Sequence, residues 1–361
     1  MNEPGLPPPL PTPVSAAMAE RPAAREERLG VILVFLSALL WSLGGTIARF
    51  IETPDHWAVV FWRSMWAIAF LVAFMLWRDG LRRSLSLFRG MGVPGFVVAL
   101  CFATASTAFI VALGYTTVAN ILLMQAGAPL IAALLGWLAF REPVSRTTWL
   151  AIAAVIFGIV VMVSDSLDGG ISPIGDGLAL MIAISLAVAT VLTRRYAHVR
   201  MTPAVCLGTI MAGLLAATQT VNFAVTGTDM GFLFAFGAIN LGLGLALFAS
   251  GARLIPAALA ALLGTFEPIL GPIWVWLVHG EEPSERTVIG GAIVFAAVLV
   301  HIALEDPKPR CRNRAAHQHQ SVDWEEGVRR KPGYAVALHK ASSLQLLIFW
   351  LVLDPCQALR R

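Results

Sequence analysis

Residues 118–148 read VANILLMQAGAPLIAALLGWLAFREPVSRTT, and residues 257–287 read AALAALLGTFEPILGPIWVWLVHGEEPSERT. Laid over one another at an offset of 139 residues (129 to 268), they pair Pro129 with Pro268, Leu123 with Leu262, Trp137 with Trp276, Leu138 with Leu277, Glu142 with Glu281, Ser145 with Ser284 and Thr148 with Thr287, without a gap. Upstream, the same offset pairs Phe109 with Phe248. Apolar matches are cheap in a hydrophobic chain. Coincident Pro, Trp, Glu, Ser and Thr are not, so the chain carries an internal repeat of the kind built into many transporter folds.

Each quoted stretch opens with an apolar run long enough to cross a bilayer, which takes about 20 residues at about 1.5 Å each. Counting outward, ten runs meet or nearly meet that length: 29–51, 57–77, 94–113, 118–140 and 147–163, then 174–192, 203–224, 230–253, 257–278 and 287–303. Polar breaks such as 52–56, 78–89 and 164–173 separate them, except at 114–117 and 253–256, where the turns must be tight. The composition agrees, with 57% of the 361 residues hydrophobic and only 13% charged, against roughly 25% charged in a water-soluble domain. The expected fold class is an all-α membrane protein of ten transmembrane helices. Five spans per half is an odd number, so the second half enters the membrane the other way up, giving two inverted five-helix repeats.

Cytoplasmic loops accumulate Lys and Arg. An inside N-terminus places Arg78, Arg82, Arg83, Arg89, Arg141, Arg146, Arg194, Arg195, Arg200 and Arg253 in the cytoplasm and leaves only Arg49 and Arg286 outside. The external loops then carry Glu52, Asp55, Asp165, Asp168, Asp176, Asp229, Glu281, Glu282 and Glu285. The expected organisation is a disordered cytoplasmic tail over 1–28, a first repeat over 29–164, a second over 173–304 and a poorly ordered cytoplasmic tail over 305–361. Met18 is an alternative start. This is the layout of a multi-pass protein of a bacterial inner membrane with both termini cytoplasmic.

The second half carries Arg253-Leu-Ile-Pro-Ala-Ala-Leu-Ala-Ala-Leu-Leu-Gly-Thr-Phe-Glu-Pro-Ile-Leu, then Trp276-Leu-Val-His-Gly-Glu-Glu-Pro-Ser, then a last span opening Ile289-Gly-Gly-Ala. The first half carries Trp41-Ser42, Gly114-Tyr-Thr-Thr, Ala128-Pro129 and Arg141-Glu-Pro-Val-Ser. Over about 29–303 this resembles the EamA domain of the drug/metabolite transporter superfamily. The resemblance implies ten spans, cytoplasmic termini and a central cavity between the halves. It also implies transport of a small metabolite, with export of an amino acid or related compound as the expectation. Arg141 departs from the pattern, which usually has Gly before the Glu.

Ionisable groups inside spans are expensive, so each calls for a partner or a cavity. Glu267 lies near the middle of the ninth span, directly before Pro268, and a proline frees the carbonyl one turn earlier. Gly264, Glu267, Gly271 and Trp274 follow at spacings of three and four and share a helix face, leaving room for a substrate or a coupling proton; the alternative is close packing around a hydrogen-bonded acid. At the 139-residue offset Glu267 falls on Ala128, so the halves differ there. The resemblance places an arginine at Arg63, to hold a substrate carboxylate or pair with Glu267, unless it snorkels among Trp57, Trp62 and Trp66. Asn120, Gln125 and Asn240 are amides inside spans, suited to substrate contact or to interhelical hydrogen bonds. Trp41 and Ser42 sit midway along the first span, where an aromatic plane serves a cavity or packs against lipid. Pro129 and Pro268 are the expected helix kinks. Glu142 and Glu281 are read as stabilising the positive end of the next helix.

Other classes fit less well. The spans contain no His-x-x-x-His and no Gly-x-Ser-x-Gly, and His56, His198, His279 and His301 fall at span ends, so the chain is not read as an enzyme. It has no Gly-x-x-x-x-Gly-Lys loop and no lysine before Lys308, which excludes a self-contained nucleotide-driven pump. Cys101, Cys206, Cys311 and Cys356 are too dispersed to clip a metal, and no cofactor is expected. The basic residues sit between apolar runs, against a nucleic-acid partner. What remains is a permease-like secondary transporter using alternating access, with a channel-like facilitator as the alternative. Its partners are a small-molecule substrate, the lipid bilayer, a coupling proton and, as a further option, a second copy in a homodimer. The tail from Glu305 holds all the lysines, and its apolar run 346–353 is too short to span. It reads as dispensable for transport, and its composition is also what a frameshift or read-through would leave.

Overall fold

The structure, a computed structural model, describes residues 13–141, 144–167, 172–196 and 201–304. The expectations for the segment before Pro13, for Glu142, Asp168, His198 and Arg200, and for the tail from Glu305 concern residues outside these. Among the described residues every regular element is helical. Among these residues nine helices are long and apolar enough to cross a membrane, and ten if the pair Val118–Ala126 and Ala128–Phe140, bent by 42°, is one span.

The first helix begins at Pro13, upstream of the expected Leu29, and its membrane-length part is Glu26–Arg49, with a turn at Leu43 between Pro13–Ser42 and Gly44–Arg49. The second, His56–Arg89, runs through the polar stretch 78–89 that reads as a loop. The chain turns at Gly80 (φ 72°, ψ 164°) and then forms a surface helix. This helix turns Ser84 inward, packs Phe88 against the core and leaves Arg82, Arg83 and Arg89 exposed. Charge on the exposed face of a surface helix reads in sequence as a break between spans. The third, fifth, sixth and tenth spans are Gly92–Ala112, Arg146–Leu167, Pro173–Arg195 and Glu285–Leu304. The seventh, Met201–Gln219, stops short of the expected 224. Past it the Asn222 side chain accepts from the Ala224 N–H, a local bond that competes with the helix, and the Val221 N–H donates across to Asp55 at the start of the second span. The eighth, Gly227–Gly251, contains a π-helical stretch, Ala235–Leu243.

The fourth and ninth spans are both interrupted. The ninth consists of Ala257–Gly264 and Phe266–His279, with a one-residue turn at Thr265 inside a helix of membrane length, Leu259–His279; the fourth bends by 42° at Gly127. Pro129 and Pro268 lie in the first turn of the second piece in each case, where a missing N–H costs nothing. They remove the donors that would have bonded to the carbonyls of Gln125 and Gly264, so the discontinuity falls just upstream of each proline rather than on it. The 139-residue offset recurs in these borders. The third span ends at Ala112 and the eighth at Gly251; the next helices start at Val118 and Ala257, end at Phe140 and His279, and the following ones start at Arg146 and Glu285. Ser145 and Ser284 each accept, at 3.1 Å, the N–H three residues on, from Thr148 and Thr287. Even the left-handed C-caps correspond, Arg141 (φ 53°) and Gly280 (φ 66°).

The main packing contacts run between the halves. The first span packs on the eighth and ninth, the second on the seventh and eighth, the third on the sixth and seventh, and the fourth on the sixth and ninth. The fifth and tenth share an apolar cluster of Ala151, Ile152 and Val155 with Val294, Ala297 and Val298. They approach so closely that a Cβ on Gly158 would meet the Gly290 carbonyl at 2.7 Å, and one on Gly290 the Gly158 carbonyl at 2.5 Å. Exchanging each span with the one five later maps this set of contacts onto itself. The halves therefore form one compact unit as far as Ile302.

Candidate functional site

Four of the residues singled out from sequence meet at the turn in the first span. Leu43 interrupts that helix, and the Asn240 amide, carried on the π-helical stretch, donates to the Leu40 carbonyl at 2.6 Å. The Trp274 indole donates to the Ser42 hydroxyl at 3.1 Å. Trp41 lies against Phe248 with ring centroids 5.4 Å apart and against Gly244, its buried indole N–H without a partner. A π-bulge presents a side chain out of the ordinary helical register, which is how Asn240 reaches across to another span.

The ninth-span face expected to carry the carboxylate continues from this cluster. Gly271, one turn beyond Glu267, abuts Leu122 and lies 3.5 Å, measured from its would-be Cβ, from the Ser42 carbonyl. Glu267 itself is half-buried and lies beside the side-chain amide of Gln125, close enough for hydrogen bonding. The two broken helices thus meet through side chains that flank their breaks. A Cβ on Gly264, the position that pairs with Gln125 at the repeat offset, would find open space. Gly271 is there for close packing, whereas Gly264 has no close neighbour from another helix.

Arg63 is 8% exposed on the second span. Its guanidinium donates to Ser106 at 2.7 Å, stacks over Phe236 at 4.2 Å, and leaves Nε without an acceptor. It does not pair with Glu267, and it does not snorkel. No carboxylate within ion-pair distance balances its charge among the described residues. Asn120 is separate again. It is fully buried and donates to Thr116 at 3.0 Å and to the buried Asp176 at 2.5 Å, tying the fourth span to the sixth.

Glu281 does something other than stabilise the helix that follows it. Its carboxylate accepts the Val118 N–H at 2.6 Å, at the start of the fourth span, and forms an ion pair with Arg49 at 2.7 Å. The sequence held one signal for this, since Arg49 is among the very few arginines on the acidic side. The groups it would meet lie 64 residues or more away along the chain, and no local pattern names them. No cluster of three or more His, Cys, Asp or Glu suited to a metal occurs among the described residues.

A bundle of nine or ten apolar helices, with paired broken spans and polar side chains held where those spans meet, defines a multi-pass membrane protein built to pass small solutes. The comparisons with known proteins agree. The EamA-like transporter family model matches residues 28–164 and again 173–303, and the chain belongs to that family. It is similar to the "Uncharacterized transporter YwfM" of Bacillus subtilis (strain 168), 26% identical over 228 residues that make up 62% of this chain and 76% of the relative. A solved structure titled "Crystal structure of protein" shares the fold at a TM-score of 0.55 and 19% identity, covering 77% of this chain and 98% of its own. The protein is a membrane transporter of small solutes.

Proposed function

We propose that the protein is a secondary transporter of a small carboxylate-bearing metabolite, an amino acid or a related compound, moved by alternating access of two inverted repeats with a proton carried on Glu267. The observation that carries this reading is the meeting of the two broken spans at Gln125 and Glu267. Breaks at corresponding positions create two exchangeable arrangements around one site, which a simple pore does not need. A half-buried acid at that point can take up and release a proton as the arrangement changes. Arg63 supports the choice of cargo. A buried cation whose protein partners are a hydroxyl and an aromatic ring is best balanced by an anionic group brought in from outside. The arginine distribution supports cytoplasmic termini in a bacterial inner membrane, and export is the direction we favour.

The test is uptake and efflux of radiolabelled amino acids and related carboxylates by the purified protein in proteoliposomes. Unlabelled cargo on the far side should accelerate flux, as in a carrier; unchanged flux would favour a channel-like facilitator. Glu267→Gln should abolish the pH dependence of net flux while sparing exchange, and a variant with parental rate and pH profile would remove the coupling role. Arg63→Gln should raise the KM for carboxylate cargo about tenfold or more, the loss expected of a charge-assisted hydrogen bond.

A further inference from the structure

Away from the Glu267 seam, one end of the molecule is tied together across the halves by side chains that the transport reading does not use. It is the end formed by the close of the first and ninth spans and the start of the second and fourth. Arg49 belongs to the first half and Glu281 to the second, and their ion pair is 2.7 Å long. Each is also committed to backbone on neighbouring elements. Arg49 donates to the Leu113 carbonyl at 2.8 Å and the Thr116 carbonyl at 3.2 Å, while Glu281 takes the N–H of Val118. The pair therefore joins the first span, the turn between the third and fourth, the start of the fourth and the end of the ninth at a single point. Alongside it, His279 bonds the Thr46 carbonyl at 3.1 Å, and Phe50 stacks on Phe232 of the eighth span at 5.0 Å.

The spans gathered there include both broken helices, the elements that must rearrange if access alternates. We infer that Arg49 and Glu281 form a latch that closes the substrate path on this face, and that parting this pair is the step that opens it. This rests on the alternating-access reading proposed above. A carboxylate that neutralises an arginine and at the same time caps a helix start has all its interactions made in the closed arrangement alone. Separating the ends of the first and ninth spans breaks the ion pair and parts the rings of Phe50 and His279, which meet edge to face with centroids 4.5 Å apart. The side chains are 29% and 17% exposed, so water can take over the freed groups and the latch is reversible.

The test uses a chain with Cys101, Cys206, Cys311 and Cys356 replaced by alanine and one reporter, Thr46→Cys. Thr46 is 7% exposed and lies one turn inward from Arg49 on the same face of its helix. A membrane-impermeant maleimide is applied from the side on which a separate Glu52→Cys reporter is labelled. Glu281→Gln and Arg49→Gln should each raise the labelling rate of Thr46→Cys about fivefold, a shift in keeping with loss of one partly exposed pair. Arg49→Lys keeps the charge and should stay close to the parent. Labelling equal to the parent in whichever glutamine variant melts at the parental temperature would overturn the latch. Faster labelling in a protein that shows no cargo flux in proteoliposomes would show that the pair holds this face closed and would count against the transport reading alone.

Discussion

Arg141 holds a backbone conformation that no other non-glycine residue adopts among those described. At φ 53° it caps the fourth span in the left-handed region, where Gly280 caps the ninth. An L-residue there pays about 1–2 kcal/mol, the clash of its Cβ with its own backbone, and glycine does not. Arg141→Gly should therefore stabilise the protein by about 1 kcal/mol, measurable as a higher melting temperature in detergent; an unchanged or lower value would show that the arginine makes a compensating contact. The missing glycine was visible as a departure from the family pattern. Its consequence was not, because a string of letters carries no φ.

Among elements, the seam between the second and eighth spans is set by Gly237. A Cβ there would run into the Arg63 carbonyl and lies 2.9 Å from the Cβ of Trp66. Gly237→Ala should destabilise the protein by about 1–3 kcal/mol through overpacking and, by pushing the helices apart, loosen the stacking of Arg63 on Phe236. A thermal melt together with cargo affinity checks both. Span positions could be read from sequence because lipid demands a continuous apolar run, and the residues at their ends rarely obscure that signal. Two elements escaped that reading. The surface helix beyond Gly80 carries its charges on one exposed face, so its arginines counted as loop. The π-helical stretch at Ala235–Leu243 is as apolar as its surroundings, and one extra residue per turn leaves no compositional trace. The candidate site was legible in part for the same reason. Glu267, Gln125 and Trp274 stood out as polar or aromatic groups in apolar runs. That Asn240 would reach Leu40 across to the first span, or that Asn120 would be taken up by Asp176, depends on packing between elements far apart in the chain.

For the whole molecule, the inverted arrangement proposed above makes a sidedness prediction. The loop after the first span and the loop after the sixth are counterparts in the two halves, and inversion would put them on opposite faces. Single cysteines at Glu52 and Arg194, both exposed, should react with an impermeant reagent from opposite sides of the bilayer. Reaction from the same side would mean an even number of crossings between them and would dismantle the inverted repeat.

The way the halves interlock bears on how such a chain is made. The first span packs on the eighth and ninth, the second on the seventh and eighth, and the third on the sixth and seventh. A ribosome delivers the first five helices into lipid well before any of those partners exists. Until then the buried Arg63 lacks the ring of Phe236 beneath it, and Arg49 lacks Glu281. The half-made protein must wait in the bilayer with its polar groups exposed to acyl chains or shielded by the insertion machinery. Membrane quality control therefore has its longest opportunity to destroy this molecule while the sixth to ninth helices are still being synthesised.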